Sequence, residues 1–172
     1  MTCWEQIDGR VLNQGDLLRG IDIPVIRTSF PGGDDGEEVS LDVDTANVIV
    51  ITQSCDLEQG KTPTVLVAQF YSLSEFETVN SNYKAKGKWN DVARGRVEGL
   101  HLLRSPENPD EVAKCLVVDF RALSSLPVEY VSKFAGESGR RWRLQPPYLE
   151  HFSQAFGRYF MRVALPRELS GF

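Results

Sequence analysis

Gln53-Ser54-Cys55-Asp56 is the segment of this chain whose residue types come nearest to a reactive centre. It follows Val48-Ile49-Val50-Ile51, a run with β-branched side chains on both faces that suits a buried central strand. Side chains at the exit of such a strand are often presented to a pocket. A cysteine there becomes a nucleophile when a base or a positive charge lowers its pKa. His101 and His151, the chain's 2 histidines, are the available bases, so Cys55, Asp56 and His101 form the candidate catalytic set. The competing structural reading makes Cys55 a small buried hydrophobe and Asp56 the cap of the following turn. Cys55, Asp56 and a histidine share no metal-ligand spacing, and neither a C-x-x-C nor an H-x-x-x-H pattern occurs. The expectation is no metal and no cofactor.

Two basic groups suggest binding. Lys84, Lys86, Lys88, Arg94 and Arg96 are interleaved with Tyr83 and Trp89, and only Asp91 and Glu98 oppose them nearby. Basic residues among aromatics suit a nucleic-acid backbone with stacked bases. The alternative is a solvated helix whose Trp89 packs on the core. Arg140, Arg141, Arg143, Arg158 and Arg162 make the second group, and arginine forks hold carboxylates or phosphates in two-pronged fashion. Arg158 and Arg162 lie one helical turn apart. They could form an anion site or a docking surface for an acidic partner, or pair internally with Asp119 or Glu150.

Bulk composition narrows the classes. A chain of 172 residues, 41% hydrophobic and 25% charged, is long enough for one domain with a real core. No apolar run approaches a membrane span, and the first ten residues lack the pattern of a secretory signal. Cys3, Cys55 and Cys115 are odd in number and unpaired in spacing, which suits free thiols in the cytoplasm. The net charge of −5 is unevenly spread. Residues 1–60 carry 12 acidic against 3 basic side chains, whereas residues 61–172 carry 12 against 16. A uniformly basic nucleic-acid binder is thereby excluded. A protein with an acidic end and a basic end is not.

The positioning elements follow from periodicity. Gly15-Asp16-Leu17-Leu18 reads as a turn entering a strand that continues through Ile21, Ile23 and Val25, with Pro24 favouring an edge. Pro31 to Glu38 reads as an acidic loop. After Val48–Ile51, Val65–Phe70 should return antiparallel. Residues 74–99 read as a polar helical insertion in which Ser74 caps a turn. Leu100–Leu103 and Cys115–Phe120 are strands, and Val128–Phe134 is a short helix or strand. Pro146-Pro147 opens a C-terminal helix to about residue 165, with Leu149, Phe152, Phe156, Tyr159, Phe160 and Val163 on one face and Glu150, Gln154, Arg158 and Arg162 on the other.

Gly15-Asp16-Leu17-Leu18, the acidic loop, Val48–Thr52 and Val65–Gln69 resemble the front of the SH3-like barrel of PemK/MazF-type toxins. That family places an Arg-Pro before the apolar strand, where Thr45-Ala46-Asn47 stands here, so the resemblance implies the fold without the ribonuclease activity. VIVITQSCDL at 48–57, VVDFRALSSLP at 117–127 and RLQPPYLEHFSQAFGRYFMRVALP at 143–166 resemble a family of small uncharacterised bacterial proteins. That likeness implies a class and no mechanism.

The expected fold is α+β: a small SH3-like antiparallel barrel or strongly bent sheet over about 10–70 and 100–134, with a helical insertion and a C-terminal amphipathic helix. The expected function is a non-catalytic interaction module of a bacterial defence or toxin–antitoxin-like assembly, with another protein as partner and no membrane. The alternatives are a toxin-like nuclease or binder of RNA or DNA, and a thiol-dependent enzyme using Cys55.

Overall fold

The computed structural model describes residues 3–25 and 42–161. The acidic loop, Arg162 and Val163 lie outside them. Strands β1 (Trp4–Ile7), β2 (Leu17–Val25) and β3 (Asp42–Val50) come first, then helix α1 (Ser54–Glu58), strand β4 (Thr64–Ser72), and helices α2 (Leu73–Val79) and α3 (Lys88–Ala93). Strands β5 (Leu100–Leu103) and β6 (Leu116–Pro127), helix α4 (Val128–Glu137), strand β7 (Arg141–Leu144) and helix α5 (Tyr148–Phe160) complete the order.

Five strands form an antiparallel sheet in the order β2-β3-β4-β6-β5, and β1 pairs with β7 in a separate antiparallel ribbon. The class is α+β. The main sheet is open, with β2 and β5 at its edges, because no ladder joins them. Its ladders carry two irregularities. The β2–β3 register shifts between Leu18 and Ile21, and the β4–β6 register shifts where Gln69 faces Asp119 and Ala68 faces Leu123. Pro24 does sit on an edge strand, where the ladder loses little from its missing N–H.

Period-2 alternation sorts the core into two faces. Ile49, Ala68, Phe70, Val118 and Phe120 point to one, where the β1–β7 ribbon and α5 cover them. Val48, Val50, Val65 and Val67 point to the other, beneath Val131 and Ala135 of α4. The segment Val128–Phe134 is therefore helical, not a further strand of the sheet, because Val131 and Ala135 meet the sheet at i, i+4 spacing. On the same side as α4 but toward β5, Phe76 and Val92 of α2 and α3 pack on Leu100 and Val117.

The insertion is two short helices around a 3-10 turn at Ser81–Lys84. Its first cap is Ser72, not Ser74. Ser72 Oγ accepts from the Glu75 N–H, and Glu75 accepts from the Ser72 N–H, a reciprocal capping box. This bond holds the Glu75 carboxyl below its usual pKa.

The two sheets are joined at Gly15-Asp16. Gly15 donates to the Val50 carbonyl and accepts from Leu144, so one residue bridges β3 and β7. Its φ of +85° and the 2.9 Å that would separate an added Cβ from Leu144 Cβ both require glycine. Beside it, Asp16 is fully buried and takes Arg141 Nε at 3.1 Å on Oδ2 and Arg143 Nε on Oδ1. Arg141 also donates to the carbonyls of Gly9 and Val11. A buried carboxylate persists only when its charge is matched and its lone pairs are filled.

Candidate functional site

The fold divides the two basic groups of the sequence. Arg141 and Arg143 are spent on Asp16 inside the protein, while Arg140 is exposed. Arg158 goes elsewhere. With Arg94, from the other basic group, it lines a cavity of about 570 Å³ between the α3–β5 segment and α5. Such a volume suits a small organic ligand.

Both histidines share this cavity. His101 comes from β5 and His151 from α5. The imidazole of His101 stacks on Phe120 at 6.1 Å between centroids and 20° between planes, and it meets Phe152 at 5.8 Å. Burial, reinforced by His151, pushes the His101 pKa down to about 4. His101 is therefore a neutral imidazole at pH 7, able to donate one hydrogen bond and accept another. Gln154 and Tyr159 of α5 and Glu98 before β5 complete the polar lining, and Val97, Leu102 and Ala155 supply apolar wall.

The sequence explains how these side chains converge. His151, Gln154, Ala155 and Arg158 recur at steps of three and four along α5, so they share one stripe. Its neighbouring stripe, Leu149, Phe152, Phe156 and Tyr159, packs on the sheet and fixes the helix. At the cavity edge Gly99 has a φ of +82°, and an added Cβ would lie 3.1 Å from both Arg121 Cγ and Tyr159 Cε2. The absent side chain lets the Arg121 and Tyr159 side chains close on the backbone at Gly99.

Arg158 does not pair with Asp119. The Asp119 carboxylate is taken by Arg121 in a two-pronged fork, Nε to Oδ1 and Nη2 to Oδ2, both at 2.7 Å. Asp119 also accepts the Arg121 backbone N–H at 2.9 Å. The pair braces the β6 irregularity and raises the Arg121 pKa further. Asp119, after burial, raises the neighbouring Tyr71 phenol as well.

The Lys84–Arg96 group takes two roles. Lys84, Lys86 and Lys88 are exposed, as is Arg96, which pairs with Asp91 at 3.3 Å. Trp89 is half-buried. Its ring lies 5.8 Å from Phe76 and 5.2 Å from Tyr83, and its Nε1 donates to Glu77 at 2.7 Å. Those contacts anchor α3 to α2.

Cys55 is exposed at the start of α1, so it is not a buried hydrophobe. Its polar neighbours are acceptors: Gln53 Oε1 at 3.7 Å and Asp56 Oδ1 at 3.9 Å. Asp56 also faces Lys61 at 3.9 Å, across a partly exposed gap. The histidines line the cavity, and Cys55 does not. Among the described residues there is no group of three or more metal-ligating side chains, and no helix is long and apolar enough to cross a membrane.

Sequence reading named His101, Arg94 and Arg158 separately, in three different roles. It missed Gln154, Tyr159 and Glu98 as their neighbours. The α5 polar stripe was the available signal for Gln154, but nothing in a linear pattern pairs that stripe with β5. Comparison of the chain with protein-family models and with curated proteins finds no match.

Proposed function

We propose that this protein is a non-catalytic interaction module that recognises an anionic group in the cavity between the α3–β5 segment and α5. One observation carries the reading: Arg94 and Arg158, 64 positions apart in sequence, line the same cavity. Guanidinium groups do not give up their protons and offer fixed forks to phosphate or carboxylate. The chemistry around them suits binding better than turnover. His101 is neutral, half-buried and stacked on a phenyl ring, and a general base works best with a pKa near the working pH. Cys55 has acceptors for neighbours, whereas a thiolate is stabilised by positive charge.

A bacterial defence or toxin–antitoxin-like setting rests on the resemblance of Gly15–Leu18, Val48–Thr52 and Val65–Gln69 to the toxin barrels. The open sheet lends that setting no support of its own. A nucleic-acid partner is the second reading, favoured by the exposure of Lys84, Lys86 and Lys88 beside the cavity segment that contains Arg94.

Calorimetric titration with pyrophosphate tests the anion reading. Binding should be saturable in the wild type and weakened at least tenfold or so in R94E/R158E, the scale expected for loss of charge-assisted bonds. The K84E/K88E variant should retain it. Equal binding by R94E/R158E and wild type, or none by either, rejects the reading.

A further inference from the structure

The cavity has more than charge, and its other features specify what the anion should be attached to. We propose that it binds one nucleoside monophosphate unit, with the base against the His101–Phe120–Tyr159 wall and the phosphate at Arg94 and Arg158. The inference rests on the anion reading and deepens it.

Three observations support a flat ring. The His101 imidazole is nearly parallel to Phe120, and Tyr159 lies 6.3 Å from Phe120 at 36°, so the rings form one aromatic side. The nearby lining of Val97, Leu102 and Ala155 is apolar, which favours a ligand with a poorly hydrated face over a bare anion. Gln154 and neutral His101 each offer both a donor and an acceptor, the combination that a base edge requires.

A sugar is supported by Glu98. This carboxylate shares the lining with two arginines, where it would repel a bare phosphate. It already has a partner, but a carboxylate offers about four lone-pair positions and accepts readily from sugar hydroxyls. The volume of about 570 Å³ accommodates one nucleotide and not a folded chain.

Binding to the full chain should be measured by calorimetry for AMP, adenosine, inorganic phosphate and a 5′-phosphorylated single-stranded tetranucleotide. AMP should bind about tenfold or more tighter than either adenosine or phosphate, the gain expected from adding stacking to charge. R158Q should lose that margin for AMP while leaving adenosine unchanged. A155W should block adenosine and AMP together, and an unchanged melting temperature would show that it still folds. If Ala155→Trp unfolds the chain, L102Q serves as the second cavity variant.

AMP binding no tighter than phosphate overturns the nucleotide inference and leaves the anion reading standing. Failure of AMP, phosphate and pyrophosphate alike removes both. A tetranucleotide that binds as well as AMP supports a strand terminus as the source of the unit. A tetranucleotide that binds much more weakly supports a free nucleotide.

Discussion

Asp16 and Arg141 form an ion pair with no access to solvent on the carboxylate and 5% exposure on the arginine, bridging the turn before β2 to strand β7. With Arg143 on the other oxygen, the carboxylate faces two cations. The cations in turn fill the carbonyls of Gly9 and Val11. This network orients β7 and, through Leu144 and Gln145, the start of α5.

Asp16→Asn should therefore destabilise the protein by about 3–5 kcal/mol, because two arginines lose their counter-charge inside the protein. Urea denaturation measures the loss. Asp16→Leu should be no milder, since it leaves the same two cations unpaired.

Gly15→Ala should cost on the order of 2 kcal/mol or more, from the left-handed backbone and from the clash with Leu144. Gly9→Ala provides the control. Its φ is +79°, but an added Cβ meets nothing within 4 Å, so it should pay the backbone cost alone. The difference between the two midpoints isolates the packing term.

His101 makes stability depend on pH. Its folded pKa of about 4 lies below the ordinary histidine value of 6.5, so the unfolded chain binds the proton more readily. Stability should rise with pH between about 4 and 6.5 and fall as pH drops through that window, by up to about 3 kcal/mol from this group. Comparing wild type with H101Q at pH 7.5 and pH 4.5 checks it. The variant should lose much of the acid-side slope.

The three thiols should react in an order set by burial. Cys55 is exposed, Cys115 is half-buried with its pKa raised by desolvation, and Cys3 is buried. Native-state labelling with a maleimide followed by mass spectrometry should modify Cys55 first. C55A should change stability by less than about 0.5 kcal/mol and leave pyrophosphate binding intact.

The elements that follow from local pattern were legible in the residues. Val48–Ile51 is apolar on both faces and is buried on both. The three-and-four spacing of Leu149, Phe152, Phe156 and Tyr159 is the face of α5 that meets the sheet. The helix at Val128–Glu137 was ambiguous because a short apolar run satisfies either period, and its packing on β4 and β6 resolved it. Ser74 is the cap that the residues suggested, and the reciprocal bond with Glu75 instead places the cap at Ser72.

The sequence by itself determined the α+β class, the central strand, the antiparallel return through Val65–Phe70 and the amphipathic α5, because backbone periodicity and burial are coupled within a few residues. Only the tertiary structure decided which charges are structural and which face the cavity. Arg141 and Arg158 are the same residue type, 17 positions apart, yet one is buried on Asp16 and the other lines the cavity beside both histidines. That choice depends on long-range strand order and on α5 crossing toward β5, and no local pattern encodes either.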